Sequence, residues 1–189
     1  MASPHPSTNS ALYYLQGRPS GLYAESFDRS QAPSSDVAAA LTTQVMTSVA
    51  LFLEVGQTVT SLSFLSGVTA AGTPTNWWFA LYSDAATPAL IAQTADQTTA
   101  AWAADTIKTL ALSAPYVVPV TGVYYAAVMV KATTVPSLIA KVAPRAAVNG
   151  ALLSSKILAQ TSGSALVATA PATIASPTTV VNQLWTAAT

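Results

Sequence analysis

Two runs in the middle of the chain are apolar at odd and even positions alike: residues 76–84 (Asn-Trp-Trp-Phe-Ala-Leu-Tyr-Ser-Asp) and residues 122–131 (Gly-Val-Tyr-Tyr-Ala-Ala-Val-Met-Val-Lys). Successive side chains of a strand point to opposite faces, so Trp77, Phe79 and Leu81 face one way while Trp78, Ala80 and Tyr82 face the other. A strand with one wet face alternates apolar with polar residues. These two runs do not, and they require cover on both sides. The demand restricts the fold to a sheet packed on two faces and points to assembly rather than chemistry.

The chain of 189 residues suits one sizeable domain. Charged residues make up only 7% of it, against about 25% in an ordinary globular protein, and 51% is hydrophobic. Seven basic and seven acidic residues cancel, which removes the repulsion that keeps copies of a small protein apart. A homo-oligomer is therefore expected. Residues 1–105 hold Arg18, Arg29 and all seven acids, whereas residues 106–189 hold Lys108, Lys131, Lys141, Arg145 and Lys156. Five cations spread so thinly fall short of a nucleic-acid footprint, so no nucleic-acid partner is expected. A scatter of solubilising charges is the simplest reading, with head-to-tail contact between acidic and basic surfaces as the alternative.

Residues 37–53 contain no charge, yet they fail as a membrane span. They include Thr42, Thr43, Gln44, Thr47 and Ser48 and run directly into Glu54, Gly56 and Gln57, where a spanning helix needs about 20 mostly apolar residues. No membrane insertion is expected. Residues 1–20 open with Pro4, His5 and Pro6 and lack the basic start and apolar centre of an export signal. The absence of cysteine excludes disulfides, thiolate metal sites and a cysteine nucleophile.

Residues 1–36 are interrupted by Pro4, Pro6, Gly17, Pro19, Gly21 and Pro33 and carry Tyr13, Tyr14, Tyr23 and Phe27. This composition reads as an extended arm that orders against the domain or another subunit, leaving residues 37–189 as the β domain. Residues 44–55 and 58–66 read as a hairpin through Gly56 and Gln57. After the run at 76–84 come a short strand at 89–94, a polar connection at 95–105 containing Trp102, a strand at 106–113, and then a break bounded by Pro115 and Pro119. Asn149-Gly150 marks a further hairpin, residues 159–179 form a low-contrast Ala/Thr/Ser stretch, and residues 179–186 close the sequence of strands. The pattern predicts an all-β fold: an antiparallel β-sandwich or jelly roll of about eight strands with an extended N-terminal arm.

No catalytic apparatus is legible. His5, the single histidine, lies in the arm, away from any Ser-His-Asp arrangement in the core. Asp84, Asp96 and Asp105 could form a calcium site or an acid pair, but each stands beside a turn or loop, an ordinary place for aspartate. A glycine-rich phosphate loop is absent. The reading is of a protein that is not an enzyme, with no catalytic residue, metal ligand or cofactor assigned. The aromatics remain, because exposed Trp and Tyr anchor protein interfaces and stack on sugar rings. Tyr13, Tyr14, Tyr23, Phe27, Trp78, Tyr82 and Trp102 are the candidate interface or ligand contacts. Trp78 and Tyr82 are expected beneath the arm or a neighbouring subunit. Trp102, lying in a loop, is the candidate for stacking on a glycan.

The segments Trp77-Trp78-Phe79-Ala80-Leu81-Tyr82-Ser83-Asp84, Gln93-Thr94-Ala95-Asp96-Gln97-Thr98, Ala101-Trp102-Ala103-Ala104-Asp105-Thr106, Lys108-Thr109-Leu110 and Thr121-Gly122-Val123-Tyr124-Tyr125 carry a resemblance. Together they look like a β-sandwich module of virion proteins from tailed bacteriophages, especially those infecting actinobacteria. The resemblance implies a non-enzymatic virion structural protein, assembled in the host cytoplasm. It suits a minor tail or fibre component first, a capsid-decoration or head-fibre protein as the alternative, and a host-surface glycan-binding module after that. It implies other virion proteins as partners, with a host cell-surface glycan as a further one, and brings no catalytic residues.

Overall fold

The computed structural model describes residues 22, 24–28, 31–32, 39–142 and 156–189. Every named element among them is a β-strand. In chain order these are β1 (Ala24–Glu25), β2 (Ala39–Ala40), β3 (Met46–Leu53), β4 (Thr58–Leu65), β5 (Gly72–Tyr82), β6 (Leu90–Gln93) and β7 (Ile107–Val117). There follow β8 (Gly122–Thr134), β9 (Ser137–Leu138), β10 (Ala140–Val142), β11 (Ala159–Ser162), β12 (Thr178–Thr179), β13 (Asn182–Leu184) and β14 (Thr186–Ala188).

The protein is an antiparallel β-sandwich. A six-stranded sheet in the order β12-β11-β3-β8-β5-β6 faces a four-stranded sheet in the order β1-β14-β4-β7, and the small pairs β2-β9 and β10-β13 flank them. The two doubly apolar runs are neighbours in the larger sheet: β5 and β8 pair with Trp78 opposite Met129, Ala80 opposite Ala127 and Tyr82 opposite Tyr125. Val49, Leu51, Leu53, Trp77, Phe79, Leu81, Tyr124, Ala126 and Val128 project from this sheet into the main core. Val59, Leu62 and Phe64 meet them from the smaller sheet.

The strands at 44–55 and 58–66 form where the sequence predicts, but they do not make a hairpin. β3 pairs with β8 and β11, whereas β4 pairs with β7 and β14, so the turn between them carries the chain from one sheet to the other. The apolar faces of β3 and β4 meet across the core instead of lying side by side, a placement that a two-residue turn signal does not specify. Gly56 supplies the positive φ of 86° at this corner.

Pro115 does not end its strand. β7 runs on to Val117, and between Ala111 and Tyr116 it bulges while β4 advances only from Val59 to Ser61. A proline at a bulge on an edge strand withholds a donor that a foreign strand would otherwise pair with. The closing strand of the sequence reading is two strands. β13 pairs with β10 and β14 with β4, divided at Trp185. The expected hairpin at Asn149-Gly150 and the arm–domain boundary at 36/37 lie outside the described residues.

Candidate functional site

The fold puts the described aromatic candidates indoors. Trp102 does sit in the connection after β6, but its indole turns inward and is buried. It stacks on Trp77 with ring centroids 5.0 Å apart and meets Phe79 edge-on at 5.5 Å. The loop around it is tied down by Asp96, whose Oδ1 accepts the Trp77 and Thr98 N–H groups at 3.0 and 3.2 Å. Its other oxygen accepts the Asn76 amide at 2.5 Å. Trp102 is thus part of the main core, where it has no surface to offer a glycan. A loop position gives no guarantee of exposure when the loop itself folds over the end of a sandwich.

Trp78 and Tyr82 are also fully buried, and their cover corrects the expectation of an arm or a neighbour. Residues 163–177, from the stretch that looked featureless, cross the outer face of the large sheet as a strap. The Trp78 indole donates to the Val167 carbonyl at 2.6 Å, and the Tyr82 hydroxyl donates to the Pro171 carbonyl at 2.8 Å. Gln93 donates to the Ala168 carbonyl at 2.7 Å and accepts the Ala170 N–H at 2.6 Å. Leu166, Ala170 and Ile174 of the strap pack with Met46, Trp78, Tyr82, Tyr125 and Met129. Burial without a charged neighbour pushes the Tyr82 phenol far above its usual pKa, and raises that of Tyr125 to about 12 against a lowering hydrogen bond with Ile157.

Phe27 is buried as well. β1, just before it, pairs with β14, and Phe27 packs with Ile139, Trp185 and Ala187. Tyr13, Tyr14 and Tyr23 lie outside the described residues.

Exposed apolar side chains, scattered elsewhere at Val68, Ile107, Val142, Val167 and Val181, gather at one end of the sandwich, where the β3–β4 and β7–β8 turns meet. Phe52 (57% exposed), Val55 (63%), Val117 (60%) and Val120 (64%) stand there in water. The two turns are bonded into one unit. The Gly56 N–H donates to the Val118 carbonyl and the Val118 N–H to the Gln57 carbonyl, both at 2.8 Å. The Val55 N–H donates to the Thr121 hydroxyl at 3.0 Å, and the Tyr124 hydroxyl donates to the Val120 carbonyl at 2.9 Å. Tyr116 lies edge-on to Tyr124 at 6.1 Å. Solvation would favour polar side chains in turns so firmly held, and valine at two of these positions is the sequence signal that could have revealed this end.

The aspartates keep structural posts. Asp84 pairs with Lys156, and its carboxylate occupies the space where a side chain on Gly122 would begin. Asp105 takes a positive φ of 50° in the turn before β7. Among the described residues no three His, Asp or Glu side chains gather as metal ligands, and no helix is long and apolar enough to cross a membrane.

The site and fold together define a β-sandwich scaffold with a rigid apolar end. In comparisons with known proteins, no family model matches the chain and no curated protein matches it.

Proposed function

We propose that this chain is a non-enzymatic structural subunit of a tailed-bacteriophage virion, a minor tail or fibre component that joins a second copy of itself through the apolar end. One observation carries the reading: four apolar side chains, Phe52 and Val117 at strand ends and Val55 and Val120 in the hydrogen-bonded turns between them, are exposed together on a chain with no net charge. Glu54 is the one charged residue in the two turns, so copies brought together there meet little electrostatic opposition. The phage-like segments support the same reading by their roles. Trp77, Phe79, Trp102 and Tyr124 fill the main core, and Asp96 fixes the loop, which is what scaffold residues do. Other virion proteins complete the assembly in the host cytoplasm, with the N-terminal arm as a second contact.

The double variant Phe52→Ser with Val55→Ser is expected to lower the sedimentation mass toward that of a monomer without moving the thermal midpoint. An unchanged mass would remove the apolar end from the assembly. Antibody labelling of purified particles in the electron microscope tests placement. Label on the tail supports the proposal, label on the head replaces it with capsid decoration, and particles free of the chain overturn both.

A further inference from the structure

Beside the Asp84–Lys156 pair a cleft of about 290 Å³ opens between the β5–β6 turn, the middle of β8, the start of β11 and the C-terminal end of the strap. Its floor is Tyr125, Gln160 and Ile174, all buried, and Thr87, Ile157 and Ser176 stand around it. No charged side chain lines it, and the nearby carboxylate and ammonium neutralise one another.

The sheet under this cleft carries polar groups that the protein does not satisfy. Gln160 lies directly opposite Ser48, and Ser162 is two residues further along the same face. The Ser48 and Ser162 hydroxyls are buried and have no hydrogen-bond partner. Buried polar groups are partnered about nine times in ten, so two orphans flanking one amide require an explanation. Opposite residues on neighbouring strands stand about 5 Å apart at Cβ, within reach of a glutamine side chain. The amide has one donor end and one acceptor end. A ligand hydroxyl engaging either end fixes its orientation and leaves the other for a serine.

We propose that this cleft binds a single ring of a neutral saccharide. A pyranose presents hydroxyls of both donor and acceptor character at its edge and apolar C–H faces, which matches the Gln160 amide and the Thr87 and Ser176 hydroxyls set among Tyr125, Ile157 and Ile174. The volume sits at the lower limit of ligand pockets, about 300 Å³, and admits one ring rather than a chain of them. The absence of lining charge selects against uronic acids and amino sugars. This site is independent of Trp102 and goes beyond the assembly reading, since it is a ligand cleft and not a contact between copies, and it holds for a tail or a head protein alike.

Saturation-transfer NMR of the full chain with methyl glucoside, galactoside and mannoside tests it, with glucuronate and glucosamine as charged probes. A ring of about twelve heavy atoms at ordinary ligand efficiency binds in the low-millimolar range. The expected result is binding of at least one neutral ring in that range, with chemical-shift changes at Tyr125 and Ile174. Gln160→Leu is expected to weaken it at least tenfold, and Thr87→Trp, on the exposed rim, to block it with the fold unchanged by circular dichroism. No binding at concentrations up to about 100 mM, binding that survives both variants, or tighter binding of a charged sugar overturns the proposal. A trisaccharide that binds far more tightly than its own single ring overturns the one-ring limit.

Discussion

The two faces of the large sheet carry similar apolar loads but are covered in different ways. On the inner face Trp77, Phe79 and Leu81 meet a second sheet, whose backbone hydrogen bonds are completed by its own strand pairing. On the outer face Trp78, Ala80 and Tyr82 meet an irregular strap. An irregular segment has no ladder to satisfy its carbonyls, and a carbonyl laid against an apolar sheet would lose its water without replacement. The sheet supplies the missing donors from side chains: the indole of Trp78, the phenol of Tyr82 and the amides of Gln44 and Gln93 reach Val167, Pro171, Leu166 and Ala168. The difference teaches why this face is rich in amphipathic residues. An aliphatic residue at Trp78 or Tyr82 would fill space but leave the strap's backbone unpartnered.

The comparison is most exposed to paired substitutions at its two tryptophans. Trp77→Ala should lower stability by about 3–5 kcal/mol as one cooperative loss, measured by urea unfolding. Trp78→Ala should cost a similar amount, while hydrogen exchange of the Leu166 and Ala170 amides accelerates ahead of global unfolding. Strap amides that stay protected in Trp78→Ala would erase the distinction between the two covers.

Tyr82→Phe keeps the ring and removes the donor to Pro171, so about 1–2 kcal/mol is expected from one part-buried carbonyl left without its partner. Double-mutant cycles with strap residues sharpen this value, and a neutral Tyr82→Phe would show that water replaces the phenol.

A further effect is one of pH. The Tyr125 phenol has its pKa raised by burial from 10.0 to about 12, and that of Tyr82 is raised in the same direction. The unfolded chain therefore loses these protons first, so their contribution to stability is complete below about pH 10 and declines as the pH climbs toward the folded-state value. The urea midpoint should fall through this alkaline range, and fall less steeply in Tyr125→Phe. An equal slope in the variant would assign the decline to other groups.

Much of the scaffold was legible because it follows from local pattern. The runs at 76–84 and 122–131, the strands beside Gly56 and the turn positions of Asp84 and Asp105 all reflect side-chain alternation or turn chemistry. Pairing was not legible. The turn at Gly56-Gln57 serves a hairpin or a crossing between sheets equally well, and only the meeting of Val49, Leu51 and Leu53 with Val59, Leu62 and Phe64 across the core decides for the crossing. Trp102 misled because its loop position hides the stacking on Trp77 that draws it inside. The strap was invisible because Ala, Ser, Thr and Pro have no strong period, and its position is set by donors more than seventy residues away.

The sequence by itself determined that the fold is all-β and that two of its strands are buried on both faces, since alternation is a property of each strand alone. The tertiary structure decided what lies on each face. Cover depends on contacts between distant segments, and those contacts turned most of an apparently sticky sheet into a closed one, while Phe52, Val55, Val117 and Val120 gather at one end as an apolar surface open to a partner.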